Sequence, residues 1–186
     1  MPRLFTGLEV PARVAGDLAS LQGGLPGARW VDPGDFHVTL SFLGDVDRHV
    51  AGEVDEMLAR LDRPAMTLRI VGLDLFGPKK PTSIFARVAA DKRLSELQAA
   101  HDGVLRRLGV PVQKRRFTPH VTIARTAKCE PKAIAKFMGQ AAGYMSDPFP
   151  VSRTVLYSAR DSVGGGPYHA ERTYPLRGTV GEPEPA

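Results

Sequence analysis

The sequence predicts an α+β protein with two similar lobes that face each other across a groove. Segments of strand pattern and helix pattern alternate along the chain, and nearly the same four residues occur twice, as His37-Val38-Thr39-Leu40 and His120-Val121-Thr122-Ile123. Each copy lies in a segment of strand pattern, at a corresponding place in one half of the chain. The simplest architecture is therefore a pseudo-twofold body whose two repeated strands line the groove between the halves.

The elements of the first half follow from apolar periodicity and from the residues that interrupt it. Alternating apolar residues indicate strands, apolar residues three or four apart indicate helices, and Pro and Gly end both. These criteria predict a strand over 3–10 that Pro11 ends, a helix over 14–21 that Gly23-Gly24 end, a turn-rich stretch over 26–34, the first His strand, which closes at Gly44, a helix over 50–61, and a strand over 66–76.

The second half follows by the same criteria. A basic turn over 77–81 joins the strand over 66–76 to another over 83–89, and we expect these two strands to form a hairpin. After them come a helix over 94–108 that Gly109 ends, the second His strand, a short helix over 131–139, and two strands over 150–158 and 168–176 joined by the flexible Gly164-Gly165-Gly166. We assign residues 1–177 to a single two-lobed domain and predict that 178–186, rich in Pro and Glu, are disordered.

Composition limits the class of protein. With 186 residues, 42% of them hydrophobic, the chain fits one domain, and 25 Lys and Arg against 20 Asp and Glu give a net charge of +5, which favours an anionic ligand without requiring a nucleic acid. The one cysteine, Cys129, excludes an internal disulfide and a zinc finger and favours a reducing compartment. The sequence shows no signal-peptide layout and no membrane-spanning apolar stretch. We therefore expect a cytoplasmic protein with no membrane partner and, by default, a monomer.

The repeated His-x-Thr motif is the candidate site. Alternate residues on a strand share a face, so each His lies beside its Thr while the apolar residues of both motifs face the core. One imidazole can donate a proton while another removes one near neutral pH, as acid–base catalysis requires. No carboxylate stands at metal-ligand spacing to either His, so we expect no metal and no other cofactor.

These motifs and their surroundings resemble the two-histidine (2H) phosphoesterases, and within that group the RNA 2′,3′-cyclic phosphodiesterases, also called 2′-5′ RNA ligases. In that family the motifs extend to His-x-Thr-x-x-Phe and His-x-Thr-x-x-Arg, and this chain has Phe42 and Arg125 at those places. The similarity covers most of the chain apart from the tail, namely the opening from Arg3 to Leu8, the stretch from Trp30 to Gly44, the stretch from Phe117 to Arg125, and the strands around Tyr157 and Tyr168. It implies two antiparallel sheets that line a central groove, with helices outside.

The resemblance also implies an activity and a role for each motif residue. The reaction would be hydrolysis of the 2′,3′-cyclic phosphate at an RNA end to a 2′-phosphate, with reversible 2′-5′ ligation as a minor activity. His37 would act as the general acid at O3′ and His120 as the base that activates water, although the sequence alone does not orient the pair. Phe42 would stack on the terminal base with little sequence preference. The phosphate would be held by three side chains, Thr39, Thr122 and Arg125.

Some of the assigned residues raise a geometric difficulty or have a second interpretation. In a strictly alternating strand, Phe42 and Arg125, each five residues after its His, would point away from the groove, so both strands must twist, bulge or end just after the Thr. Without the family, Phe42 beside Leu40 and Leu43 would be interpreted as a core aromatic. The basic run Lys114-Arg115-Arg116 fits either a solvated strand edge or a contact with RNA phosphates.

Two other functions stay open. One is a phosphodiesterase that acts on small cyclic nucleotides or 2′-5′ oligonucleotides, against which the Phe and Arg of the extended motifs argue. The other is a non-catalytic module that binds RNA ends, against which the two titrating imidazoles argue. The remaining candidates are given structural interpretations: a core position for Trp30, no nucleophilic role for Cys129, and surface or packing positions for His49, His101 and His169.

Overall fold

The computed structural model describes residues 3–77, 80–159 and 166–178. Residues 179–186 of the expected tail, Pro78 and Lys79 of the expected basic turn, and Gly164 and Gly165 of the expected flexible joint lie outside these ranges. In chain order the elements are β1 (Arg3–Glu9), α1 (Ala12–Ser20), β2 (Arg29–Trp30), a 3₁₀ turn (Pro33–Asp35), β3 (His37–Asp45), α2 (Arg48–Ala59), β4 (Met66–Leu68), β5 (Ile70–Phe76), β6 (Ser83–Val88), α3 (Lys92–Arg107), β7 (His120–Arg125), α4 (Pro131–Gln140), β8 (Phe149–Val151), β9 (Arg153–Ala159) and β10 (His169–Pro175).

The strands form two main antiparallel sheets. One sheet has the order β10-β9-β1-β3 and the other the order β2-β7-β6-β5, while β4 and β8 pair separately as a small two-stranded sheet. The two His strands, β3 and β7, belong to different main sheets and contact each other. This architecture confirms the predicted α+β class with two antiparallel sheets.

The two halves of the chain repeat one order of elements and exchange strands. The first half runs β1-α1-β3-α2-β4-β5, with β2 as an addition, and the second runs β6-α3-β7-α4-β8-β9, with β10 as an addition. The last strand of each repeat joins the sheet of the other half, because β5 pairs with β6 and β9 pairs with β1. This exchange places β3 and β7 at corresponding positions on the two sides of the groove.

The structure divides two strands that the sequence predicts as continuous. The predicted strand over 66–76 becomes β4 and β5, and the predicted strand over 150–158 becomes β8 and β9. At each division one exposed residue, Arg69 or Ser152, belongs to neither strand. The carbonyl of Arg69 accepts a hydrogen bond from the N–H of Ala89, just after β6, and the carbonyl of Ser152 accepts one from the N–H of Leu176, just after β10. The turn-rich stretch over 26–34 also contains the short strand β2. Apolar alternation continues through both divisions, so it does not reveal the change of sheet.

The helices begin and end where local chemistry favours it. The side chains of Asp47 and Asp91 accept hydrogen bonds from backbone N–H groups in the first turns of α2 and α3, at 2.9 and 2.8 Å. Gly109, with φ +71°, follows the end of α3 in the left-handed region that glycine adopts without strain. No helix within the three described ranges is both long and apolar enough to cross a membrane. The buried side chains of α3 recur at helical spacing, at Leu94, Leu97, His101, Val104 and Leu105.

The main core lies behind the two His strands. The apolar residues of both motifs are at most 4% exposed, as the alternation of the motifs predicts, and these residues are Val38, Leu40, Val121 and Ile123. A second cluster of buried side chains packs beneath α2 and α3. Because the core fixes one face of each His strand, the opposite face is held towards the groove.

Candidate active site

Each His strand contains a bulge three residues after its His. Leu40 is an extra residue of β3 in its pairing with β1, as Leu43 is again after Phe42, and Ile123 is the extra residue of β7 in its pairing with β6. Both strands consequently show the same order of burial from the His onwards: half-buried, buried, half-buried, two buried residues, then an exposed one. The bulge reverses the alternation, so Phe42 and Arg125 return to the face of the His and the Thr. This resolves the conflict between strict alternation and the extended motifs.

The two imidazoles are held in the same way. The Nδ1–H of His37 donates to the carbonyl of Asp35 at 2.7 Å, and the Nδ1–H of His120 donates to the carbonyl of Thr118 at 2.6 Å. A carbonyl can only accept, so Nδ1 carries the proton in the neutral ring and Nε2 is the nitrogen that gains or loses one. The Nε2 of His37 lies 3.1 Å from Oγ1 of Thr39. Both histidines thus use Nε2 for any proton transfer in the groove.

Three aromatic rings surround His37. Its ring centroid lies 4.8 Å from that of Phe5 and 5.8 Å from that of Tyr157, and the ring of Tyr168 meets it edge-on at 5.0 Å. The backbone N–H of Tyr168 donates to Oδ1 of Asp35 at 2.9 Å. Asp35 therefore holds the His37 ring through its carbonyl and the segment carrying Tyr168 through its carboxylate.

Two stacked phenylalanines surround His120. The rings of Phe76 and Phe85 have their centroids 4.1 Å apart, and they meet the His120 ring at centroid distances of 4.8 and 5.2 Å. Sequence reasoning assigned no role to these two rings or to the aromatic neighbours of His37. All five lie on strands or strand ends far from the motifs along the chain, and apolar alternation does not identify the neighbours of a ring.

Burial is the main cause of the altered acidity of both imidazoles. It lowers the pKa of His37 and the pKa of His120 because the charged ring loses hydration, while the hydrogen bonds to the carbonyls oppose this in part. The charge on His120 and the guanidinium of Arg125 lower the pKa of His37 further, and Arg115 and Arg125 do the same for His120. The effect of His120 on His37 places the two rings within electrostatic range of each other. The site therefore combines two imidazoles of lowered pKa with a positive field.

Arg125 and Phe42 are both accessible from the groove. Arg125 is exposed and has no ion-pair partner in the part of the chain that the structure describes. Phe42 is 45% exposed, and its ring centroid lies 5.8 Å from that of Phe5. The interpretation of Phe42 as a core aromatic is therefore wrong. Trp30, in contrast, packs against the main core at 5.5 Å from the ring of Phe137, as predicted.

The basic run lies in the irregular segment between α3 and β7. The interpretation of Lys114, Arg115 and Arg116 as a strand edge is therefore wrong, since none of the three belongs to a strand and all are exposed. Arg115 and Arg116 line a cavity that also includes Phe42 and His120, and Lys114 is not among its walls. The run thus divides into two residues at the site and one beside it.

Thr122 is half-buried on the same face of β7 as His120. The other candidates lie on the surface or serve packing, and His49 and His169 are exposed. His101 is 1% exposed and hydrogen-bonds the hydroxyl of Thr6 at 3.0 Å. Burial raises the pKa of the Cys129 thiol and keeps it protonated. Among the described residues, no three His, Cys, Asp or Glu side chains converge as metal ligands.

The sequence matches a family of known enzymes in both halves. The family model "LigT like Phosphoesterase" matches residues 8–86 and again 87–168. A protein of Geobacillus stearothermophilus named RNA 2′,3′-cyclic phosphodiesterase is 31% identical over 175 residues, which are 90% of this chain and 52% of that protein. One of the same name from Bacillus subtilis is 29% identical over 132 residues, 67% of this chain and 71% of that protein. This chain spans about half the length of the first of these curated relatives.

Solved structures show the same fold. The protein TT0787 of Thermus thermophilus superposes with a TM-score of 0.78 at 23% identity over 95% of this chain and 98% of that chain. LigT of E. coli complexed with 3′-AMP gives a TM-score of 0.75 at 19% identity over 95% and 99%. Each of the two family-model matches contains one His-x-Thr strand, so the match covers both parts of the site. The chain therefore belongs to the LigT-like phosphoesterases of the 2H superfamily.

Proposed function

We propose that this protein hydrolyses the 2′,3′-cyclic phosphate at RNA ends to a 2′-phosphate, without a metal, by acid–base catalysis between His37 and His120. The supporting observation is the matched pair of imidazoles, each held through Nδ1 by the carbonyl two residues before it and each free to use Nε2 in one groove. Two relatives named RNA 2′,3′-cyclic phosphodiesterase support this substrate class. Reversible 2′-5′ ligation is the minor activity that the same groove would support when the 5′-hydroxyl of a second RNA replaces water as the nucleophile.

In the proposed reaction, water attacks phosphorus as the bond from phosphorus to O3′ breaks. His120 removes a proton from the water, the hydroxide oxygen bonds phosphorus, and His37 donates its proton to O3′, which leaves the phosphate on O2′. The groove then holds a protonated His120 and a neutral His37, and proton exchange with solvent restores the starting forms. The two protons moved balance the reaction, so no further reactant is required.

The charges around the two rings support this division of roles. Burial lowers the pKa of both rings, and His120 and Arg125 lower that of His37 further, but only His37 has a carboxylate, that of Asp35, which acts in the direction that an acid needs. Arg115 and Arg125 lower the pKa of His120, which favours the neutral form that a base needs. Environments that act differently on two titrating groups are the usual means of assigning acid and base.

Three further side chains would hold the phosphate. A guanidinium can bind two nonbridging oxygens at once, and Arg125 has no ion-pair partner among the described residues that would compete for it. The hydroxyls of Thr39 and Thr122 would each donate one hydrogen bond to the same phosphate. Phe42 would stack on the terminal base, and Arg115 and Arg116 would contact the phosphate on its 5′ side.

The test is hydrolysis of an oligoribonucleotide that ends in a 2′,3′-cyclic phosphate, with EDTA present, followed by identification of the terminal phosphate. We expect a 2′-phosphate from the unchanged protein and from a His49→Ala control, since His49 is exposed on α2, and no product from His37→Ala or His120→Ala. Activity that survives both substitutions contradicts the mechanism. Cleavage of only cyclic mononucleotides or 2′-5′ linkages would show that these are the substrates instead. Binding without any turnover would show that the protein is a non-catalytic module that recognises RNA ends.

A further inference from the structure

A cavity with both polar and apolar walls adjoins the candidate active site between β3 and α3. Its walls include Thr39, Phe42 and His120, which the proposed mechanism uses, and also Ser41, Gln98 and Asp102, which it does not. Gln98 and Asp102 are half-buried on one face of α3, one turn apart. The cavity therefore extends the groove beyond the phosphate position towards a set of polar groups without an assigned function.

The polar groups on the α3 side form one hydrogen-bonded network. The hydroxyl of Ser41 donates to Oδ1 of Asp102 at 2.6 Å, and Nε2 of Gln98 donates to Oδ2 at 2.8 Å. The same amide nitrogen lies 3.5 Å from the carbonyl of Leu40. A carboxylate can only accept, so it fixes the direction of both donors. The groups left for a ligand are Oε1 of Gln98 and the remaining lone pairs of Asp102 and Ser41, which makes this wall a set of acceptors.

The segment between α3 and β7 lines the same cavity with groups of the opposite character. Arg115 and Arg116 are exposed, and neither has an ion-pair partner in the described ranges. Phe42 and Phe117 supply apolar surface to the same cavity. A phosphate would be attracted to the arginines and repelled by Asp102, whereas a flat ring can stack on Phe42 and turn its polar edge towards α3. The charges of the cavity thus complement a nucleotide whose 5′-side phosphate lies near Arg115 and Arg116 and whose base edge faces α3.

From this pattern we infer that the cavity holds the base of the terminal nucleotide and prefers adenine, cytosine and guanine to uracil. The inference rests on the proposed function, because the cyclic phosphate between His37 and His120 positions the base. Each favoured base carries an exocyclic amino group that donates two hydrogen bonds, which suits Asp102 and Gln98. Uracil has one N–H between two carbonyls on that edge, and both carbonyls would face acceptors. Stacking on Phe42 alone predicts little preference, so the acceptor wall is the source of selectivity.

The first test compares kcat/KM for four oligoribonucleotides that differ only in the base of the terminal 2′,3′-cyclic phosphate nucleotide. We expect the uridine end to react about tenfold more slowly than the other three, a typical discrimination for one well-placed base contact. Asp102→Asn places amide hydrogens on the wall, so the four rates should converge. Asp55→Asn is the matched control, since Asp55 also accepts from a hydroxyl, that of Tyr174 at 2.7 Å, but lies on α2. This control should keep the preference.

Two further measurements keep the inference testable if Asp102→Asn fails to fold or no substrate reacts. Gln98→Ala removes one acceptor from a half-buried position and should reduce the preference in part. Titration of the unchanged protein with adenosine 2′-monophosphate and uridine 2′-monophosphate measures base selectivity without turnover, and we expect tighter binding of the adenosine compound. Equal rates for all four ends would overturn the base subsite and leave the proposed function standing. Failure of all four to react would refute the proposed function, and equal binding of the two monophosphates would then overturn the subsite as well.

Discussion

Replacement of Phe42 by alanine should weaken substrate binding and leave both the fold and the chemical step nearly unchanged. The ring is 45% exposed, so roughly half of it is buried, and full burial of a Phe side chain is worth about 1.5–3 kcal/mol. The substitution should therefore lower the free energy of unfolding by about 1 kcal/mol. The protein stays folded with a loss of that size, and any larger effect on activity comes from the lost stacking surface.

The loss of stacking should appear in KM. Stacking of one base on an aromatic side chain contributes about 1–3 kcal/mol, which corresponds to about a 5- to 150-fold rise in KM. The base stacks equally in the bound substrate and in the transition state, so kcat should change little. A rise in KM with little change in kcat is the result expected of a binding surface, whereas loss of a catalytic group would lower kcat.

The assay is steady-state hydrolysis of the cyclic-phosphate oligoribonucleotide, with thermal unfolding of each variant measured alongside. Met145→Ala is the control, because Met145 is the other large hydrophobic side chain that is exposed in the described residues, at 56%, and is not part of the cavity. Phe42→Trp keeps a stacking surface and should preserve KM. An unchanged KM in a folded Phe42→Ala protein, or a fall in kcat instead, would refute the reasoning.

Three further predictions concern charge. Burial lowers the pKa of His101 to about 4 from 6.5, so between those values only the unfolded chain takes up this proton. The free energy of unfolding should therefore fall as pH falls, by about 2 kcal/mol at pH 5 relative to pH 7. Urea unfolding of His101→Gln should show no such loss. Asp35→Asn removes a charge that raises the pKa of His37, so the alkaline limb of kcat against pH should move to lower pH; an unmoved limb would contradict His37 as the acid. Arg125→Lys keeps the charge but not the two-pronged contact, and kcat should fall about 100-fold; equal kcat would exclude that contact.

The sequence predicts the parts of the site that depend on local periodicity. The repeated His-x-Thr identified both His strands because alternate residues share a face and the same spacing occurs twice. The need for a break after each Thr was also predicted, and the bulges at Leu40 and Ile123 meet it. These features depend on neighbouring residues of one strand, which a single sequence contains in full.

Features that depend on distant segments could not be predicted in this way. The divisions at Arg69 and Ser152 reflect the choice of a pairing partner, which apolar alternation leaves open. The hydrogen bond between Ser41 and Asp102 joins residues 61 positions apart, and the aromatic partners of His37 come from three separate strands or strand ends. Nothing in the local pattern of α3 distinguishes Asp102 from a solvated carboxylate.

The exchange of strands between the halves has a consequence for how the protein is made. The sheet of β1 and β3 is completed by β9 and β10, so β1 and β3 must wait for partners that are synthesised after β7 and α4. Contacts of such long sequence separation slow folding, because the chain loses the entropy of closing a long loop before the pairing stabilises it. A nascent or truncated chain that ends after β7 therefore contains both histidines and Arg125 but lacks Tyr157 and Tyr168. The groove assembles only after β9 and β10 have been synthesised.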